Sequence, residues 1–175
     1  MSTGSLPPHI EPFKWADREA EVDAVVPLKS FTRLLQGAHS DEGQVTVRCE
    51  FARDAQRVAY VSGTAQASVS LTCQRCLEPV QVDLDVDFRL ALVSDEARAE
   101  RLSDEEDYLI VGEDAISLQD IVEDEMILAL PLVVLHENCD SVSYVQGAPE
   151  VEEAPQRENP FQVLANLKGQ DTEKK

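Results

Sequence analysis

The chain has few of the residues that chemistry on a substrate requires. Its three histidines, His9, His39 and His136, are widely separated, and none falls into a Ser/His/Asp set. Neither a glycine-rich phosphate loop nor a dinucleotide fingerprint occurs in the 175 residues. Nucleophilic, general-base and nucleotide-dependent catalysis are therefore not expected, and the chain reads as a non-enzyme. No apolar run approaches the about 18 residues of a membrane-spanning helix, so no membrane partner is expected. Residues 1–8 carry neither a basic n-region nor an apolar h-region, so no secretory signal is expected either. A cytoplasmic location with reduced cysteines follows as the expectation. Aromatic residues make up 5% of the chain, with Trp15 the one tryptophan. That is too few for a base-stacking platform, and Trp15 is expected to anchor a short N-terminal arm, residues 7–15, on the core.

Positive charge is also scarce. There are 15 Lys and Arg against 34 Asp and Glu, a formal net charge of −19. The imbalance is uneven: residues 1–93 hold 13 acidic and 9 basic side chains, residues 94–175 hold 21 and 6. Neutralising phosphate supplies most of the affinity of a nucleic-acid-binding surface, so direct RNA contact is disfavoured by net charge. It is left to the less acidic half, where Arg48, Arg53, Arg57, Arg75 and Arg89 lie near the strands, or these arginines are solvated strand partners. An acidic surface suits a basic protein partner through steering and complementarity.

What the chain does have is alternation. Ala65, Ala67, Val69 and Leu71 alternate with Gln66, Ser68, Ser70 and Thr72; Val80, Val82, Leu84, Val86, Phe88, Leu90 and Leu92 alternate with residues that include Asp83, Asp85 and Asp87. A period of two over this length is the mark of strands with one face buried and one wet. Residues 44–51 alternate too, with Val45, Val47, Cys49 and Phe51 on one side, and residues 21–28 and 108–111 read as further strands. Short connections call for antiparallel pairing. Gly63 is expected to mark a bulge or bend. A short helix over 31–35 is expected after Ser30, ended by Gly37. The clearest helix covers about 117–130, with Ser117 as cap, Leu118, Ile121, Val122, Leu128 and Ala129 as the packing stripe, and Pro131 as the stop. Glu123, Asp124 and Glu125 on that helix are expected to face solvent.

The fold class is therefore α+β: an antiparallel, curled or partly closed β-sheet with one packed helix (about 117–130) and a short C-terminal helix after an acidic mobile tail. Residues 1–139 are expected to form a single α+β domain with an N-terminal arm. Residues 140–175 are expected to be an acidic flexible tail. It ends in a short amphipathic helix, about 160–168, with Pro160 at its first position and Phe161, Leu164, Ala165 and Leu167 towards one side.

The loop between the two long strands holds Cys73-Gln74-Arg75-Cys76, and three readings compete for it. A redox dithiol needs a following helix N-terminus to lower the thiol pKa, and Pro79 and a strand follow instead. A structural metal knuckle needs two more donors, which His136 and Cys139 at i and i+3 could provide, for zinc. The gap between the two pairs is far longer than in compact finger motifs. Plain reduced thiols in a hairpin loop are the third reading.

Three stretches together resemble a known family. They are Leu71-Thr72-Cys73-Gln74-Arg75-Cys76, then residues 122–131 (Val-Glu-Asp-Glu-Met-Ile-Leu-Ala-Leu-Pro), then Asn159-Pro160-Phe161 with Leu164, Leu167 and Lys168. Their order and spacing resemble the YceD family, the large ribosomal RNA subunit accumulation proteins of bacteria. The resemblance implies a role in synthesis, processing or stability of 23S ribosomal RNA, and so in large-subunit biogenesis. It brings no catalytic residue. The expectation is a non-enzymatic factor that meets basic ribosomal proteins or rRNA-processing factors. The alternatives are a direct rRNA-binding module or a metal-dependent RNA-processing enzyme with its metal at Cys73, Cys76, His136 and Cys139.

Overall fold

The alternating segments become a six-stranded sheet whose strands follow chain order: β1 (Ser2–Thr3), β2 (Glu21–Pro27), β3 (Gln44–Arg53), β4 (Ala59–Thr72), β5 (Pro79–Val93) and β6 (Tyr108–Ile110). Among the described residues three α-helices accompany it, α1 (Pro12–Asp17), α2 (Glu96–Ala99) and α3 (Leu118–Leu128), with one turn of 3-10 helix at Leu28–Ser30. The computed structural model describes residues 2–3, 6–103, 106–112 and 115–141. The acidic tail from residue 142 onward and the helix expected over 160–168 lie outside the described residues.

Strands β2 to β5 form an antiparallel meander, and β4 pairs β5 from Ala59↔Leu92 to Thr72↔Pro79. Two short edge strands add parallel pairings: β1 lies along β2 and β6 along β5. Each follows from a long connection, through α1 in one case and α2 in the other, because a parallel neighbour needs a crossover rather than a tight turn. The strand order is linear, so the sheet is open. The α+β architecture is the one expected.

One face of the sheet is apolar throughout. Val45, Val47, Cys49 and Phe51 of β3, Val61, Ala65 and Val69 of β4, and Leu84, Val86 and Phe88 of β5 are all buried in one cluster. The aspartates of β5, Asp83, Asp85 and Asp87, are exposed on the opposite face, where Gln66 donates to Asp85 at 3.0 Å. Gly63 is not a bulge. It keeps regular register between Cys49 and Phe88, and a Cβ there would lie 2.7 Å from the Phe88 ring and 2.7 Å from the Arg48 carbonyl oxygen. Glycine is needed because backbone and ring approach too closely for any side chain.

Helix α3 closes the apolar face. The Ser117 hydroxyl caps it by accepting from the Asp120 N–H at 3.2 Å. Leu118, Ile121, Val122 and Met126 are its buried apolar positions. Burying four such side chains is worth about 6–12 kcal/mol, as an upper figure. Leu128 and Ala129 are exposed although the period puts them in line with Ile121 and Val122: they stand at the C-terminal end of α3, as its last residue and its C-cap.

The acidic triplet divides as well. Asp124 is exposed, but Glu123 is buried at 3% exposure. Its carboxylate accepts from the backbone N–H of Arg33 at 2.7 Å, the N–H of Leu34 at 3.1 Å and the Arg33 guanidinium at 3.1 Å. Residues 31–35 form turns rather than the expected helix: the Leu35 N–H reaches back to the Phe31 carbonyl at 3.2 Å, but the chain does not continue as a helix, and Phe31 and Leu34 are drawn into the core. The N-terminal arm expected over residues 7–15 is helical from Pro12 onward. Pro12 begins α1, and Trp15 on it meets Phe51 edge-to-face at 5.3 Å, so the anchoring role holds within a helix.

Candidate metal centre

The tip of the β4–β5 hairpin and the chain that leaves α3 converge on one point. Cys73 and Cys76 lie on the tip, which is closed by Leu77 N–H donating to the Cys73 carbonyl at 2.9 Å. Leu77 sits in left-handed backbone (φ 64°), a position that costs a branched side chain on the order of 1 kcal/mol or more. Pro131 ends α3, and residues 132–139 run back along the hairpin. There the Gln74 N–H donates to the Val134 carbonyl at 2.8 Å and the His136 N–H to the Cys73 sulfur at 3.4 Å. Val134 is buried and seats the segment.

The four donor atoms of Cys73, Cys76, His136 and Cys139 lie within 4.8 Å of one another. The Cys73 and Cys139 sulfurs are 3.7 Å apart, and the Cys76 sulfur is 3.2 Å from His136 Nδ1. Tetrahedral zinc with Zn–S of ~2.3 Å and Zn–N of ~2.0 Å sets donor separations of about 3.5–3.8 Å, so the set is already close to the size of a zinc shell. The surroundings fit too. His136 Nε2 is 3.1 Å from the Pro79 carbonyl oxygen, to which it can donate as N–H; that tautomer leaves Nδ1 free for a metal. The Cys139 sulfur accepts from Arg75 Nε at 3.0 Å, and the other end of that guanidinium donates to the His136 carbonyl at 2.8 Å. Burial opposes ionisation of Cys73, but the backbone N–H groups of Cys76, Arg75 and His136 outweigh it and hold the thiol down at about 5. Cys76 moves the other way. The backbone donor at Glu78 favours its thiolate, and burial together with the sulfurs of Cys73 and Cys139 more than reverses that.

The sequence-based reading of these four residues as one group is therefore matched by their placement, and the long gap between the pairs is bridged by the fold. A redox dithiol at a helix N-terminus is not what the hairpin holds, since β5 and not a helix follows Cys76. Arg75 is the correction. It does not reach outward as an RNA contact or a strand partner but turns in to Cys139 and His136. Its place between two cysteines of a tight loop was the signal available in the sequence. Cys49 lies apart, buried in β3, and burial pushes its thiol up to about 12, as befits a small core residue. Among the described residues no other group of His, Cys, Asp and Glu comes together in this way.

An open meander with a Cys3His group at its longest hairpin, closed by one capped helix, defines a small acidic α+β protein whose distinctive chemistry lies at a loop tip and not in a cleft. The family model "Large ribosomal RNA subunit accumulation protein YceD" matches residues 61–168, which include the hairpin, α3 and the segment after it. A curated relative from Haemophilus influenzae (strain ATCC 51907 / DSM 11121 / KW20 / Rd), a large ribosomal RNA subunit accumulation protein, is 33% identical over 172 residues, 96% of this chain and 99% of its own. The chain belongs to the YceD family. No solved structure gives a significant match.

Proposed function

We propose that this protein is a non-enzymatic factor in the synthesis, processing or stability of 23S ribosomal RNA, and that it acts by holding a protein partner of the large subunit. Membership of the YceD family supports the ribosomal role. One surface observation carries the mode of action. Leu132, Leu128 and Val133 are 96%, 78% and 60% exposed, and Leu77 and Leu135 are about half exposed. All five lie on the last turn of α3, the segment after it, or the hairpin tip those residues dock against. An exposed run of large aliphatic side chains is a contact surface by default. Glu137 and Asp140 are exposed on the same stretch of chain, which suits a basic partner with an apolar face, such as an extension of a ribosomal protein.

Zinc bound by Cys73, Cys76, His136 and Cys139 would hold this surface in shape. Two ligands come from the hairpin and two from the segment carrying Leu132, Val133 and Leu135, so the ion would fasten one to the other. Four protein ligands leave no open position on the metal, which favours a structural role over a metal-dependent RNA-processing reaction. Elemental analysis of the purified protein is expected to give about one zinc per chain, falling to near zero in Cys73→Ser with Cys139→Ser. The function itself is tested in a strain lacking the protein. The wild type is expected to restore the ratio of 23S to 16S ribosomal RNA, and Leu128→Glu with Val133→Glu, both exposed positions, to fail while the protein stays folded. Full restoration by that variant would refute the contact surface.

A further inference from the structure

A second feature lies at the other end of the sheet. Four of the chain's ten arginines, Arg53, Arg57, Arg98 and Arg101, line one open cavity of about 710 Å³ at the β3–β4 turn and α2. In a chain with 34 acidic residues this is a local reversal of charge. Two of the four are matched: Arg53 pairs with Asp17 at 2.6 Å and Arg98 with Asp95 at 3.6 Å. The Asp54 carboxylate is occupied by the Val58 N–H at 2.7 Å. Arg57 and Arg101 form no ion pair among the described residues. Arg57 is also held in left-handed backbone (φ 67°), where glycine or asparagine would sit without strain. The rest of the wall includes Phe13, Val58 and Leu102, an apolar surface against which a base can lie.

From this we infer that the cavity holds one or two nucleotides of a single-stranded RNA segment, phosphates on Arg57 and Arg101 and a base against Phe13. The inference rests on the ribosomal reading above and adds a second, separate contact to it. Guanidinium groups recognise phosphate by paired N–H donors, and a cavity of this volume matches a nucleotide. Net charge does not forbid it, because at physiological salt the Debye length is about 8 Å and acidic groups further off are screened. Affinity will be modest and salt-dependent, with about 0.7 log units of binding lost per log unit of salt for each phosphate neutralised.

The test is fluorescence anisotropy with the full chain and a labelled 12-nucleotide single-stranded RNA of mixed sequence, from 20 to 200 mM salt. Binding by the wild type is expected at low salt. Arg57→Ala with Arg101→Ala should weaken it at least tenfold there and flatten the log–log salt slope by about 1.4. Lys29→Ala, beyond the opposite end of β3, should change neither. The inference is overturned by no wild-type binding at 20 mM salt, or by wild-type affinity in the double variant. It is equally overturned if polyglutamate or adenosine monophosphate competes as well as RNA, since the site would then take any polyanion or a free nucleotide. The rRNA assay keeps the two readings apart. If the wild type fails to restore 23S levels the ribosomal function falls, whatever the anisotropy shows; an RNA-binding double variant overturns this site alone.

Discussion

Gly63 and Glu123 show how single positions set the limits of this fold. At Gly63 the Phe88 ring, the Cys49 sulfur and the Arg48 carbonyl all stand within 3 Å of where a Cβ would be. The Arg48 carbonyl cannot retreat without moving β3, and the Cys49 and Phe88 side chains are buried and packed in the core. Gly63→Ala is expected to destabilise by about 2–3 kcal/mol, read as a shift in the denaturant midpoint at constant slope. A loss below about 0.5 kcal/mol would mean the strands part more easily than their register implies. Glu123 is a buried carboxylate held by two backbone N–H groups and a guanidinium. Glu123→Ala strands the Leu34 N–H inside the protein and should cost about 2–4 kcal/mol, whereas Glu123→Gln keeps an acceptor and should cost about half as much. Equal losses for the two would show that the side chain's volume matters and its hydrogen bonds do not.

At the scale of elements, the β4–β5 hairpin and α3 each have a sound local reason to form, and the segment after α3 has little. Residues 132–139 are tied down by the Gln74–Val134 and Cys73–His136 hydrogen bonds, the buried Val134 and the four donor residues. If zinc joins those donors, its removal should release this segment and leave the sheet intact. A strong chelator is then expected to lower the melting temperature by about 10 °C, corresponding to roughly 3–4 kcal/mol. Hydrogen exchange should quicken at residues 132–139 and at the hairpin tip while the centres of β3 and β4 stay protected. An unchanged melting temperature with zinc demonstrably lost would make the ion incidental to stability.

The whole molecule carries a net charge of −19, and its acidic groups outnumber basic ones two to one. Self-repulsion of that size opposes compactness, and salt screens it. Raising sodium chloride from about 20 to 150 mM should therefore stabilise the protein by about 1 kcal/mol, or roughly 2–4 °C in melting temperature. A fall would mean that the few local ion pairs, such as Arg53–Asp17 and Arg33–Asp124, outweigh the general repulsion. The same change in salt should weaken RNA binding at the arginine cavity, so stability and binding are expected to move in opposite directions.

Local pattern alone determined much of this protein. Strands β2 to β5, the register that keeps three aspartates of β5 in water, the capped α3 and the α+β class all follow from the period of apolar residues and from capping chemistry, which act over a few residues. The four donor residues were also legible, since Cys-x-x-Cys and His-x-x-Cys each bring paired donors within one turn of chain. What bridges the gap between the pairs is not local. The return of residues 132–139 to the hairpin depends on hydrogen bonds to a loop sixty or more residues earlier in sequence, Gln74 to Val134 and His136 to Cys73. For the same reason Glu123 looked solvated, Gly63 looked like a bulge, Arg75 looked outward and the four arginines looked scattered. Burial, close approach and shared cavities are properties of pairs distant in sequence, and only packing the sheet, helix and loops together decides them.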